Sequence, residues 1–317
     1  MTKGSVLYAI LGNSLWGVGI IYWKQLAAVP PIEVLAHRFL WSFLLALGLI
    51  VAQSEWPAFR DAAFHRSTLA TYAFSGLLLG INLFFTVWAA ATGYVVQLSL
   101  GFFISPLVNV LLGVVVLNES LRQWQIFSVA LATAGVAVVA VANATCPWLA
   151  LTVAATFGVF GLVKKQAPLP SLHGMTLELG IFFFPALVYL VVIEANGSAT
   201  FLRTTTAMDV YLVGSSVATV APLVLYSAAA KHIPLTLLGI LQYTAPSIQF
   251  LVGVLIFHEQ LPLQKLIGFV CVWTGLVVFG VESICHSRPA TPEANNSIAF
   301  SFDRIATPHC GYGDETP

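Results

Sequence analysis

Pro106–Leu121 reads PLVNVLLGVVVLNESL, and Pro246–Leu261 reads PSIQFLVGVLIFHEQL. Laid over one another at a shift of 140 residues, Pro106 meets Pro246, Gly113 meets Gly253, Glu119 meets Glu259 and Leu121 meets Leu261. The register holds outward without a gap. Gly135 meets Gly275, Pro30 meets Pro170, and Arg38 meets Glu178. Self-similarity at one fixed period marks a duplicated architecture. The copies divide the chain into residues 1–143 and 144–283, followed by a polar segment, 284–317, rich in Pro, Ser, Thr and Asn. That last segment has the composition of a disordered tail.

What is duplicated follows from composition. Of 317 residues, 58% are hydrophobic and 8% charged, where soluble domains carry roughly 25% charged residues. No Lys, Arg, Asp or Glu occurs from Leu69 to Asn118 or from Gln123 to Val163. Each of these stretches is long enough to cross a hydrocarbon layer of about 30 Å twice as helix. A zero net charge gives no footprint for nucleic acid or an acidic partner. Apolar runs of helical length fall at 5–23, 32–52, 69–91, 95–117, 123–143, 147–163, 174–193, 209–230, 236–257 and 263–283. The runs are too long and too uniformly apolar for the alternating strands of a membrane barrel. The first contains Asn13, Trp16 and Gly17, and reads as a span rather than a cleaved signal.

Ten spans make five per copy, and the odd number has a consequence. The second copy enters the bilayer from the side opposite to the first. The expected fold is therefore an all-α integral membrane protein of ten transmembrane helices, built as two inverted five-helix repeats around a central cavity. A pseudo-two-fold axis in the membrane plane lets such a cavity open to either side in turn. With the N-terminus inside, Lys3, Arg60, Arg66, Arg122, Lys164, Lys165, Lys231, Arg288 and Arg304 lie on the inner side, against Lys24, Arg203 and Lys265 outside. The positive-inside rule then predicts both termini in the cytoplasm of a multi-pass cell-membrane (plasma or inner membrane) protein.

Particular segments also carry a resemblance. VLAHRFLWSF (Val34–Phe43), SLGFFISPLVNVLLG (Ser99–Gly113), GLVKK (Gly161–Lys165), GMTLELGIFFFPALVYL (Gly174–Leu190) and LGILQYTAPSIQFLVG (Leu238–Gly253) resemble RarD-type permeases, EamA-domain members of the drug/metabolite transporter superfamily. The resemblance implies a cavity lined by helices one to four and six to nine. Members of that family move amino acids, metabolites or drugs. The chain departs from them after the fourth and ninth spans, where Asn118-Glu119 and His258-Glu259 replace the family's usual Gly-Glu.

Ionisable groups deep in spans are few, and Arg38 and Glu178 are the clearest. A charge at mid-bilayer costs roughly 2.5–3.5 kcal/mol on insertion scales, so such groups face a cavity or a partner. Measured from Pro30 and Pro170, each lies about 10 Å inside its own interface, on opposite sides of the midplane and about 10 Å apart in depth. Two readings are open. Arg38 meets an anionic or polar solute group while Glu178 takes a cation, a proton or the arginine; or the two form a fixed pair, with Arg38 alternatively snorkelling outward. His37 titrates near neutrality if solvated, but also suits an inter-helix hydrogen bond. Trp16, Asn82, Trp88, Asn109, Gln242, Tyr243 and Gln249 form a weaker pathway set, readable equally as packing between helices. Pro106 and Pro246 free backbone carbonyls one turn earlier, which suits a lined cavity.

No nucleophile–base pair, phosphate loop, zinc spacing or CxxC pair is present, so neither an enzyme nor a metal or other cofactor is expected. The leading expectation is a transporter that moves a small organic solute or drug by alternating access, with protons as the candidate coupling ion, as a monomer or homodimer. The competing one is a non-transporting membrane sensor or scaffold that binds a solute in the same cavity.

Overall fold

The computed structural model describes residues 3–141, 147–258 and 263–285. Among them the chain is helical: α1 (Lys3–Gln25), α2 (Pro31–Ala52), α3 (Trp56–Ala63), α4 (Arg66–Thr92), α5 (Val95–Val115), α6 (Gln123–Val141), α7 (Trp148–Gln166), α8 (Ser171–Ala195), α9 (Thr206–His232), α10 (Leu235–Gln242), α11 (Thr244–Leu255) and α12 (Leu263–Cys285). Among the described residues, nine spans are long and apolar enough to cross a membrane, α10 and α11 counting as one, Leu235–Leu255. α12 adds the shorter apolar stretch Leu266–Glu282, and the ten expected crossings are complete. Below, the side where α1 begins is the near face and the side where it ends is the far face.

Prolines set several boundaries. Pro30 and Pro170 hold extended backbone immediately before α2 and α8, as a ring-fixed φ favours ahead of a helix start. Pro246 lacks the N–H that would continue the ladder, and the ninth span breaks at Tyr243 into α10 and α11. Its mate Pro106 leaves α5 continuous. Beside it, the Tyr243 hydroxyl donates to the Phe103 carbonyl at 3.1 Å, one residue after the Phe102 carbonyl that Pro106 leaves without its ladder donor.

Three local features differ from expectation. The sixth span runs on to Gln166, three residues past its expected end, which puts Lys164 and Lys165 on helix rather than in a loop. α3 is an additional element. It turns Phe59 and Ala63 inward and leaves Trp56 exposed, the habit of a short helix lying along an interface. Asn118 and His258, the pair standing where the family has glycine, share the left-handed conformation, each with φ 53°. Glu259, and the expected tail beyond Cys285, lie outside the described residues.

The two halves meet about their pseudo-two-fold axis. Phe43 packs on its own mate Phe183, ring centroids 4.8 Å apart, and Phe103 packs on its own mate Tyr243 at 6.5 Å. Two mates in contact lie on either side of a two-fold. Between α6 and α12 the same operation exchanges contacts. A Cβ on Gly135 would stand 2.7 Å from the Gly268 carbonyl oxygen, and one on Gly275 would stand 2.8 Å from that of Ser128. Shifting either contact by 140 residues in both partners gives the other.

Candidate functional site

The polar side chains inside the bundle gather at three depths. Near the near face, Glu178 on α8 is fully buried. Lys164 Nζ stands 2.9 and 3.0 Å from its two carboxylate oxygens. Ser75 on α4 donates to the same carboxylate at 2.5 Å. Ion pairs taken out of water hold only with good geometry and further hydrogen bonds, and this one has both. The approach of α4 to α8 depends on two glycines. A Cβ on Gly174 would fall 2.3 Å from the Tyr72 ring, and one on Gly76 would fall 3.0 Å from the Glu178 carbonyl oxygen.

Further bonds hold this face, some between the halves and some within the second half. The Tyr72 hydroxyl accepts from the Leu169 amide at 3.0 Å, and Lys231 donates to the Leu169 carbonyl. Lys165 donates to the Ile233 carbonyl at 2.6 Å. Glu119 accepts from the Leu235 and Thr236 amides at 2.7 and 2.8 Å, where α10 leaves its first N–H groups without helical acceptors. His173 meets Glu55 at 2.7 Å.

At the centre, Trp16 of α1 meets Phe157 of α7 and Tyr226 of α9, both at 5.6 Å between ring centroids. Asn109 Nδ2 donates to Gln242 Oε1 at 2.6 Å and to the Tyr226 hydroxyl at 3.3 Å. The structure therefore brings Trp16, Asn109 and Gln242 together around Tyr226. Gln249 reaches the Trp16 carbonyl at 3.4 Å.

Toward the far face sits Arg38, partly buried on α2. Its Nε donates to Thr219 Oγ1 at 3.1 Å, and its guanidinium carbon lies 4.3 Å over the Trp23 ring. Thr219 is itself oriented by its bond to the Ser215 carbonyl at 2.8 Å. Neither terminal nitrogen of Arg38 has a protein partner among the described residues. The acids on this face are engaged elsewhere. Glu33 accepts from the Thr200 amide at 2.7 Å, the Thr200 hydroxyl at 2.9 Å and the Phe201 amide at 3.2 Å, while Asp209 accepts from the Leu202 amide at 2.8 Å.

Several expected site residues have other surroundings. Glu178 is paired with Lys164 and not with Arg38, so the bridge contemplated between the two charged mates does not form here. His37 turns from Arg38: its Nδ1 accepts from Trp41 Nε1 at 3.0 Å, and its ring meets Phe201 at 4.9 Å. Asn82 ties α4 to α7 through the Val153 carbonyl at 2.9 Å. Trp88 belongs to a far-face aromatic group, stacking on Tyr94 at 5.2 Å and meeting Trp148 at 5.8 Å. Sequence reasoning passed over Lys164, Ser75, Tyr72, Trp23, Thr219 and Tyr226. One signal existed for Lys164: it is the mate of Lys24, and each lysine precedes the charged mate of its own half, Glu178 or Arg38, by the same interval.

Comparison with known proteins adds the following. Residues 3–141 match the EamA-like transporter family. The chain is 34% identical to protein RarD of Streptomyces exfoliatus over 286 residues, covering 90% of this chain and 91% of that one. It is 36% identical over 291 residues to the uncharacterized transporter YojE of Bacillus subtilis, covering 90% and 97%. A solved crystal structure shares the fold with a TM-score of 0.65 at 16% identity, covering 89% of this chain and 99% of the other.

Proposed function

Since the chain belongs to the RarD-type branch of the EamA-like transporter family, and so is a cell-membrane transporter of the drug/metabolite type, we propose that it carries a small organic solute by alternating access. One observation supports this reading above the others. The charged mates Arg38 and Glu178 lie near opposite faces of halves related by a pseudo-two-fold, and their surroundings are unequal. Glu178 is sealed with Lys164, while the terminal nitrogens of Arg38 have no protein partner among the described residues. Two mates in two states are what an inverted repeat produces when one face is closed and the other is not.

In this reading Arg38 contacts the solute, held in orientation by Thr219 and Trp23. The aromatic group of Trp16, Phe157 and Tyr226, with the Asn109–Gln242 amide pair, forms the central barrier that the solute passes. The Lys164–Glu178 pair is the near-face gate, and a proton taken by Glu178 would release Lys164. Both termini are cytoplasmic, and one chain, with its own inverted partner built in, suffices as the working unit.

The test is counterflow in liposomes loaded with candidate solutes. The reading expects labelled solute to accumulate against unlabelled solute inside, and expects Arg38→Gln to abolish it. Folded protein that exchanges none of a broad metabolite set would overturn it.

A further inference from the structure

The far face lacks a carboxylate that its mate possesses. At the near face the closing charges are Lys164 and Glu178, one of each sign. Their mates are Lys24 and Arg38, both cationic. Of the other members of the cluster, Ser75 keeps serine in its mate Ser215, while Tyr72 is replaced by the uncharged Leu212. In the structure Lys24 is exposed, and its ammonium lies 3.5 Å from the Phe257 ring centroid, directed at the turn that follows α11 rather than paired in its own half. When an inverted repeat changes state, each half adopts the arrangement its mate had. Lys24 would then move toward Arg38 as Lys164 now sits against Glu178. Two cations cannot make that contact in a low-dielectric span unless an anion lies between them.

Resting on the permease reading above, we propose that the transported solute is an organic anion with a planar carboxylate, and that this carboxylate supplies the missing charge by binding between Arg38 and Lys24 and closing the far face. The guanidinium is prepared for it. Thr219 fixes the Nε edge and Trp23 covers one side, so the two terminal nitrogens are presented together, the fork that binds a carboxylate in bidentate fashion. Among the described acids of this face, Glu33 and Asp209 hold backbone amides in the α8–α9 connection and Glu194 pairs with Arg203. The solute is then ligand and latch at once: an empty carrier stays open on this side, and a loaded one closes.

The experiment reads the far-face distance directly. Spin labels are placed at Ala28 and Leu202, one on each half, in full-length protein with Cys146, Cys271, Cys285 and Cys310 replaced by serine, in phosphatidylcholine nanodiscs. Acetate, benzoate and indole-3-acetate are added, each beside its neutral amide. The expected result is a shorter distance with at least one carboxylate and none with the amides. Arg38→Gln should weaken the response about tenfold or more, and Lys24→Gln by a smaller factor.

Two further variants need no ligand. Arg38→Glu and Lys24→Glu each create the opposite-charge pair that the near face already has, and either should shorten the distance with nothing added. Lys24 is exposed, so its variant tests the idea even if Arg38→Glu does not fold. Nanodiscs containing phosphatidylglycerol separate a free solute from a lipid headgroup; closure by that lipid alone, with no carboxylate effect, overturns the proposal. So does closure by the amides, the absence of response to every carboxylate, or a Lys24→Glu variant that keeps the open distance. Flux of neutral solutes without a carboxylate effect would sink this inference and leave the permease standing. Carboxylate-driven closure without flux would overturn the permease reading, and with it the claim that the carboxylate is transported, leaving a carboxylate-binding site between Arg38 and Lys24.

Discussion

The two ends of the bundle are built on one backbone plan and filled with different side chains. At the near face Gly174 and Gly76 let Tyr72 and Glu178 come close. Their mates at the far face are Val34 and Ser216, while the mate of Tyr72 is Leu212. A large residue against glycine on one side has become two middle-sized residues on the other, and Leu212 and Val34 pack together in a buried cluster. The steric volume is conserved by the exchange while the charge is not, since Lys164–Glu178 has become Lys24–Arg38. The fold therefore needs the symmetric packing, and the asymmetric charge is left for the solute.

The largest effect should come from splitting the near-face pair. Glu178→Gln leaves Lys164 buried without a counter-charge, a loss of about 3–5 kcal/mol by analogy with other buried pairs. The double variant Lys164→Met, Glu178→Leu removes both charges and should recover most of it. Thermal unfolding in detergent, run as a double-mutant cycle, measures the coupling. A single variant as stable as the parent would mean that the near face is not held by this pair. The corresponding far-face change, Arg38→Gln, should cost much less, because no protein carboxylate is left unpaired.

Next is the glycine that admits Tyr72. Gly174→Ala drives a methyl into the ring at 2.3 Å, and overpacking of this kind costs about 1–3 kcal/mol. Combining it with Tyr72→Leu reproduces the far-face solution, Val34 against Leu212, and should restore part of the loss. Tyr72→Phe alone keeps the ring and removes the hydroxyl that accepts from the Leu169 amide, for about 1 kcal/mol. If the Gly174→Ala variant is not rescued by Tyr72→Leu, the exchange of volumes between the two ends is not what sets the helix approach.

Much of this was legible in the chain. Ten spans, their inversion and the mates Arg38 and Glu178 follow from hydropathy and one shift of register. The partner of Glu178 was not legible, for a physical reason. A lysine at the last turn of a hydrophobic run has the same appearance whether its stem carries the ammonium out to the headgroups or folds it inward. Lys164 was assigned to the surface on that ambiguity, and the structure leaves it 1% exposed. The two prolines show the same limit. Pro246 breaks its span and Pro106 does not, and what distinguishes them lies in the tertiary contacts around each rather than in the repeated sequence. α3 was missed because eight residues give too short a pattern to separate from a loop, and its mate region is no helix at all.

The smallest predicted effect concerns the two residues where the chain departs from its family. Asn118 and His258 both adopt φ 53°, a conformation that costs an ordinary L residue about 1–2 kcal/mol, with asparagine the least penalised. Glycine relieves that cost but restores freedom to the unfolded chain, taking back about 0.5–1 kcal/mol. The two terms oppose each other and nearly balance, so the sign depends on the residue replaced. His258→Gly should gain about 0.5 kcal/mol, a rise of roughly 1 °C in Tm for a chain of this length. Asn118→Gly should gain nothing or lose a few tenths, because asparagine already tolerates the turn. There is a second reason to expect the near-face position to be indifferent. The residue after Asn118 is Glu119, whose carboxylate already fixes this turn to the Leu235 and Thr236 amides, so a freer backbone at 118 has little left to loosen. A loss at His258, or a clear gain at Asn118, would show that the two turns are not mechanically equivalent despite their shared dihedral angle.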